Sequence, residues 1–311
     1  MTLAILCSGQ GPQHREMFAL TGDAPGAANL FAHAAALCGG CDPRTIVQTD
    51  TDDGLHRNRV GQILCTLQSL AAASILRDVW PRRLIIAGYS VGEVAAWSVA
   101  GLLDALVTLD LAARRAELMD AASMPGDGLL FVRGLSRGAV DRLCKHHDMA
   151  VAIVNPGDAY VLGGAGNMLD ALADEAEAIG AARVVRIAVN VASHTPRLAA
   201  ASAGFRQALG QAPVRPGPDT GVRLLSGIDG SSVVDIPVGM DKLALQISHT
   251  VQWAACLQGC VEAGASTFLE LGPGRALCEM AMSAYPHIPA RSLEDFRTLA
   301  GVRTWVARIQ H

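Results

Sequence analysis

A serine flanked by glycines, Gly88-Tyr89-Ser90-Val91-Gly92, is the feature that most restricts how this chain folds. The apolar run before it, Leu84 to Ala87, is typical of strands buried on both faces, and Glu93 to Leu102 after it has helical spacing. A tight turn between strand and helix exposes the serine Oγ, and the glycines leave room because they carry no Cβ. The pattern predicts an α/β fold with Ser90 at the carboxyl edge of a parallel sheet. The alternative is a serine that only caps the helix.

The rest of the chain alternates strand and helix patterns in the same way. Its 311 residues are 50% hydrophobic but only 4% aromatic, so aliphatic side chains must build the core. From Leu129 to Ile187 the order strand, helix, strand, strand, helix, strand predicts a small ferredoxin-like α+β domain. We therefore predict a main α/β domain, a parallel sheet flanked by helices, from residues 1–124 and 190–311. The inserted domain is predicted to span 125–189.

The second part of the main domain is predicted to be mostly helical. The pattern favours helices at 196–209, 239–248, 251–263, 274–283 and 293–309, with short strands at 266–270 and 288–291.

Charge and cysteine usage exclude several classes of protein. The 25 basic and 29 acidic residues give a net charge of −4 without a long basic run, so nucleic acid is not an expected partner. No apolar run of membrane-spanning length and no leader pattern is recognised, which predicts a cytoplasmic protein with no membrane association. The eight cysteines are expected to be reduced thiols. Cys38-Gly-Gly-Cys41 lacks partner ligands, so no metal site is predicted.

A serine hydroxyl becomes a nucleophile only when a base removes its proton, and histidine is the usual base. Of the nine histidines, His194 is distinguished by its place after the strand-like segment Val185 to Val191, at a predicted strand-to-helix junction. His146 and His147 end a predicted surface helix. The spacing of Ser90 and His194 does not show that they meet, and His194 alone could be an ordinary loop histidine.

Six motifs, taken in order, resemble the malonyl-CoA:acyl-carrier-protein transacylase family over nearly the whole chain. They are Ser8-Gly-Gln-Gly-Pro-Gln13, Gly88-Tyr-Ser-Val-Gly-Glu93, Arg115 in its Ala-Arg-Arg-Ala-Glu-Leu-Met119 context, Val191-Ala-Ser-His194, Val251-Gln-Trp253 and Glu270-Leu-Gly-Pro-Gly274. The resemblance implies a hydrolase-like α/β domain with a ferredoxin-like insertion. It also implies malonyl-CoA as substrate, no permanently bound cofactor and an acyl-carrier protein as partner.

The resemblance also implies roles for individual residues. Ser90 would accept the acyl group and His194 would be its base. The backbone N–H groups of Gln10 and Val91 would form an oxyanion hole, to which the position of Val91 at a helix N-terminus independently points. Gln252 would orient His194, which gives a dyad without an acidic third member.

Two further residues concern the choice of acyl group. Arg115 matches the family's arginine that holds the free malonyl carboxylate, and a guanidinium suits that task because it binds a carboxylate with two hydrogen bonds. Without the resemblance, Arg115 would be interpreted as a solvated arginine on a helix face. Tyr89 departs from the family, which usually has histidine immediately before the nucleophile, and therefore alters the substrate pocket.

Within the family, the Ser8-Gly-Gln-Gly and Gly-Tyr-Ser-Val-Gly sequences most resemble the epsilon subunit of malonate decarboxylase. That resemblance implies transfer to the thiol of a phosphoribosyl-dephospho-CoA group on a small carrier subunit, and contact with other malonate decarboxylase subunits. The nearest alternative is malonyl loading for fatty-acid or polyketide synthesis.

Two other functions remain as rivals. The first is a serine esterase or a patatin-like lipase, in which Asp229 of the Asp229-Gly230 pair would partner the serine. The second is a scaffold that binds a carrier without catalysis. Because carrier proteins are acidic, basic residues on the inserted domain are candidate contacts, namely Arg133, Arg137, Arg142 and Lys145.

Overall fold

Two sheets organise the molecule in a computed structural model that describes residues 1–309. The first sheet is parallel, with strand order β7-β2-β1-β8-β9, and the second is antiparallel, with order β4-β5-β3-β6. The strands are β1 Leu3–Cys7, β2 Leu84–Gly88, β3 Gly128–Arg133, β4 Ala150–Asn155, β5 Ala159–Gly164, β6 Arg183–Ile187, β7 Val222–Leu224, β8 Thr267–Glu270 and β9 Ala290–Ser292.

Helices surround the parallel sheet and pack on the antiparallel one. They are α1 Ala28–Leu37, α2 Pro43–Thr49, α3 Asp52–His56, α4 Asn58–Leu76, α5 Gly92–Val99, α6 Ala105–Ala122, α7 Arg137–His146, α8 Gly166–Ala178, α9 Ala199–Gln211, α10 Ile236–Leu245, α11 Trp253–Glu262, α12 Ala276–Ala284 and α13 Leu299–Arg308. Strands β1 and β2 are buried along their whole length, which is why their sequences are apolar without alternation.

The antiparallel sheet has the strand–helix–strand–strand–helix–strand order that the sequence pattern predicts. It joins the main body through a parallel bridge between Ile153 and Val251, in which the Val154 N–H donates to the Val251 carbonyl at 2.9 Å. This bridge lies just before α11, so the second sheet is anchored close to the segment that carries Gln252.

Helix α4 differs from the sequence-based expectation that no segment reaches membrane-spanning length. The segment Asn58–Val79 is long and apolar enough to cross a membrane, yet 78% of its most apolar window is buried inside the protein. Burial in a core explains the composition, because such a helix contacts other protein on nearly all sides. The cytoplasmic location stays a prediction.

One predicted helix begins earlier than expected and another begins later, because each starts at the residue that caps its N-terminus. The segment predicted as 239–248 is the helix Ile236–Leu245, since the Asp235 side chain accepts a hydrogen bond from the Val238 N–H. The segment predicted as 293–309 is a short 3-10 helix at Leu293–Asp295, and the α-helix begins only at Leu299, where Thr298 supplies the cap. The final residues of the predicted 190–311 segment, 310 and 311, lie outside the described residues.

Candidate active site

Ser90 lies at a strained turn between β2 and α5. Its φ is 56°, a left-handed value that serine rarely adopts. A Cβ at Gly88 would lie 2.2 Å from the Glu93 nitrogen, and one at Gly92 would lie 2.1 Å from the Cys7 oxygen. Both glycines are therefore required, and the turn is a nucleophile elbow as the sequence predicts.

His194 contacts this serine directly. Its Nε2 lies 2.8 Å from the Ser90 Oγ, and its Nδ1 lies 2.5 Å from the backbone oxygen of Gln246. A carbonyl can only accept, so the proton of the neutral ring must be on Nδ1 and the lone pair on Nε2. The lone pair therefore faces the serine hydroxyl, which is the arrangement a general base requires.

The acceptor that orients His194 is Gln246, and the prediction that assigned this role to Gln252 is wrong. Gln252 begins α11, and its backbone N–H donates to the Gly227 carbonyl at 2.8 Å. Gln246 follows the last residue of α10, where helix carbonyls lack partners within the helix. A main-chain carbonyl has no sequence signature, so residue types alone did not reveal it.

The electrostatic surroundings keep His194 uncharged. Burial first, and then the positive charge of Arg115, lower the pKa of His194 to about 3, against the opposing hydrogen bond to Gln246. A lowered histidine pKa means that the neutral, basic form persists as the pH falls.

We expect formation of the acyl-enzyme to show no loss of rate around pH 6.5, the ordinary histidine value, and to decline only at markedly lower pH. Rapid-quench mass spectrometry of the acyl adduct between about pH 4 and about pH 8 would measure this rate. Near-ultraviolet circular dichroism over the same range would check that the protein stays folded. If the rate of acyl-enzyme formation fell with a midpoint at the ordinary histidine pKa, the lowered pKa assigned to His194 would be contradicted.

Two backbone N–H groups at the elbow and in the loop beside it are free to donate. The N–H groups of Gln10 and Val91 make no hydrogen bond to any residue that the structure describes. A Cβ at Gly9 would lie 2.6 Å from the Tyr89 oxygen and 3.3 Å from the Ser90 Cβ, so the loop containing Gln10 packs directly on the elbow. Free donors at this position are what an oxyanion hole needs.

The buried carboxyl group of Glu270 anchors the start of the loop that contains Gln10. The Ser8 Oγ donates to Glu270 at 2.7 Å, and the Cys278 N–H donates to the other oxygen of the same side chain at 2.9 Å. Burial raises the pKa of Glu270 to about 7. Ser8, Gln10, Tyr89 and Glu270 line one cavity of about 440 Å³ that opens toward β6.

Arg115 is buried, contrary to the interpretation of a solvated helix face. Its side chain donates to the Gln62 Oε1 at 2.8 Å and to the Gln246 Oε1 at 3.1 Å, while its Nε has no partner. Burial lowers the pKa of Arg115 to about 10, with Glu93 acting in the opposite direction, so the group stays charged at neutral pH. Among the described residues, no carboxylate forms an ion pair with it.

Gln246, which sequence reasoning missed, connects the parts of the site. Its Nε2 donates to the Ser90 backbone oxygen at 3.0 Å and to Glu93 at 2.5 Å, while its Oε1 accepts from Arg115. Burial raises the pKa of Glu93 to about 7. One amide group thus separates the buried guanidinium from the serine.

Tyr89 borders the elbow as a neutral aromatic residue. Its ring meets Trp253 edge to face, with centroids 5.3 Å apart. Burial raises the pKa of its hydroxyl to about 12, opposed by the neighbouring Asn155 side chain. Where the family usually has an imidazole, this chain therefore presents an uncharged phenol.

The residues of the rival hypotheses lie elsewhere. Asp229 pairs with Lys242 at 2.7 Å, and the Ser90 Oγ contacts His194 instead, so the patatin-type pairing of Ser90 with Asp229 is absent among the described residues. Of the four basic residues on the inserted segment, Arg137 and Lys145 line a cavity of about 510 Å³ that reaches His194. Arg133 and Arg142 do not line it.

The fold and the serine–histidine pair define the class of α/β enzymes that pass acyl groups through a serine ester. A family model for the acyl transferase domain matches residues 5–288. The chain is 30% identical over 300 residues to a malonyl CoA-acyl carrier protein transacylase of Mycobacterium bovis, covering 94% of this chain and 96% of the relative. It is also 30% identical to a segment of the polyketide synthase GfsB of Streptomyces halstedii, covering 90% of this chain and 5% of that protein.

Among solved structures, MCAT from Mycobacterium tuberculosis superposes with a TM-score of 0.89 at 28% identity, over 99% of this chain and 100% of that one. The chain therefore belongs to the acyl transferase domain family, together with the malonyl-CoA:acyl-carrier-protein transacylases. The prediction of an acyltransferase enzyme of this family is confirmed. The narrower resemblance to the malonate decarboxylase epsilon subunit stays a prediction.

Proposed function

We propose that this protein transfers a malonyl group from malonyl-CoA to the thiol of an acyl-carrier protein. The observation that carries the proposal is the buried Arg115, which forms no ion pair with a carboxylate of the described residues and reaches the Ser90 backbone oxygen through one amide group, that of Gln246. A buried charge without a carboxylate in direct contact is costly, and the free carboxylate of a malonyl group would supply that contact in addition to the more distant Glu93. The names of the curated relatives support the same substrate and partner.

The first half of the reaction forms a serine ester. The Nε2 of His194 takes the Ser90 proton as the Oγ attacks the thioester carbon, and the carbonyl oxygen becomes an oxyanion. The N–H groups of Gln10 and Val91 stabilise that charge, each by roughly 3 to 4 kcal/mol. As the C–S bond breaks, the imidazolium returns its proton to the CoA sulfur.

The second half repeats these steps in reverse with the carrier thiol. His194 takes the thiol proton, the thiolate attacks the ester, and Ser90 leaves with the proton from the imidazolium. Because the entering and leaving groups are both thiols, one site serves both halves in a ping-pong sequence. Transfer rather than hydrolysis requires that water be kept from the ester.

The carrier is proposed to approach along the cavity that reaches His194. Arg137, which pairs with Asp141, and Lys145 line this cavity and are proposed to contact an acidic partner. We interpret the segment 125–189 as a ferredoxin-like domain that provides this wall, inserted in a hydrolase-like main domain of residues 1–124 and 190–311.

The carrier thiol is proposed to be the phosphopantetheine of fatty-acid or polyketide synthesis, because the curated relatives are named as an acyl carrier protein transacylase and a polyketide synthase. A second candidate is the phosphoribosyl-dephospho-CoA group of a malonate decarboxylase carrier subunit. It rests on the Ser8-Gly-Gln-Gly and Gly-Tyr-Ser-Val-Gly sequences alone.

We expect transfer to a phosphopantetheine-bearing carrier to exceed transfer to a carrier with the dephospho-CoA-type thiol by about 10-fold or more in kcat/KM. Radiolabelled malonyl transfer to each purified carrier would measure the ratio. A reversed ratio would assign the enzyme to malonate decarboxylase and leave the malonyl-transfer chemistry intact. Rapid release of free malonate without any carrier would instead support an esterase.

A further inference from the structure

A second cluster of ligating side chains lies on the outer side of the antiparallel sheet and has no part in the proposed reaction. His146 is the last residue of α7, His147 follows it, and Glu175 lies on the neighbouring helix α8.

The three side chains converge on one point. The His147 Nε2 lies 2.7 Å from the Glu175 Oε2, and the His146 Nδ1 lies 3.0 Å from the same oxygen. The three ligand atoms all lie within 4.8 Å of one another. Ligands around a tetrahedral zinc ion at 2.0 to 2.1 Å are separated by about 3.3 Å, so the two imidazole–carboxylate distances need to widen by only about 0.3 to 0.6 Å to admit the ion.

The surroundings favour binding over a simple surface hydrogen bond. His147 is only 7% exposed, so packing fixes its ring before any ion binds, while His146 is at the surface and leaves the ion open to water. The centroids of the two imidazole rings lie 4.7 Å apart and the ring planes are inclined by 44°. His146 therefore approaches the Glu175 oxygen with Nδ1 and His147 with Nε2. Two imidazoles and one carboxylate form a donor set that suits zinc and similar divalent metals.

We propose that His146, His147 and Glu175 bind a divalent metal ion of the zinc type and thereby tie the end of α7 to α8. Coordination replaces two hydrogen bonds to one carboxylate oxygen with three bonds to the metal, and water fills the remaining positions. Because the ion binds the folded protein, it stabilises the antiparallel sheet and its two helices.

The test uses the full-length protein after chelator treatment, with zinc chloride as the probe. Isothermal titration should give one zinc ion per chain, and a saturating amount should raise the thermal midpoint by about 2 °C or more. His146→Ala and Glu175→Gln should abolish both effects while circular dichroism and malonyl transfer stay unchanged. His33→Ala is the matched control, since His33 forms a 2.7 Å surface pair with Asp110 and, within the part of the chain that the structure describes, belongs to no three-ligand cluster.

Cobalt substitution identifies the ligands independently. A cobalt(II) complex with nitrogen and oxygen ligands gives visible d–d bands without a thiolate charge-transfer band. A thiolate band would place the metal at cysteines and overturn the proposal. Stoichiometric binding that survives in both His146→Ala and Glu175→Gln, or no binding by the unaltered protein, would overturn it as well.

Discussion

Replacement of Ser90 by alanine is expected to abolish the acyl-enzyme and to lower malonyl transfer by about 10⁴-fold or more, because no other hydroxyl of residues 1–309 contacts the His194 Nε2. Intact-protein mass spectrometry after mixing with malonyl-CoA should show the added malonyl mass on the unaltered protein only. The change removes one oxygen from a partly exposed position, so folding should be unaffected.

Gln252→Ala is the matched control for this experiment. Its side chain makes no hydrogen bond to any described residue, and the His194 Nδ1 is held by Gln246 instead. The Gln252 variant should therefore keep the adduct and most of its activity. An adduct that persists in Ser90→Ala would remove the serine from the proposed mechanism.

Replacement of Arg115 by alanine is expected to lower malonyl transfer by about 10²-fold or more and acetyl transfer much less. The malonyl carboxylate would lose its counter-charge in a buried setting, whereas an acetyl group has no carboxylate to lose. Rates with malonyl-CoA and acetyl-CoA, measured on the same preparation, give the ratio directly. This ratio cancels any general damage to the site, such as the loss of the Gln62 and Gln246 contacts.

Arg114→Ala serves as the control for Arg115→Ala. Arg114 is the preceding residue on the same helix and makes an exposed pair with Glu117 at 3.2 Å, so its removal should leave both rates nearly unchanged. Equal losses of malonyl and acetyl transfer in Arg115→Ala would show that the arginine has a structural role only.

The elbow was predictable because its requirements are local. An apolar strand, two glycines and a helix are visible in consecutive residues, and the structure places Ser90 at that turn with the φ that the geometry demands. The partner histidine needed the family resemblance, because its contact with Ser90 joins segments 104 residues apart.

The remaining parts of the site depend on features that residue types do not encode. Gln246 orients His194 with a main-chain carbonyl, and any residue at that position would supply one. The burial of Arg115 did leave a signal, since it shares its helix face with the buried residues Leu111, Ala112 and Met119 at helical spacing. The general rule that arginines are solvated concealed that signal.

If Arg115 selects the malonyl group as proposed, acyl preference is linked to base strength, because burial and the positive charge of Arg115 together lower the pKa of His194. Replacing Arg115 so that the enzyme accepts uncharged acyl groups would also remove a positive charge from the surroundings of His194. The pKa of His194 would then rise. The redesigned variants would have a stronger base that is protonated, and so inactivated, at a higher pH. Their acyl preference and their working pH range would therefore change together.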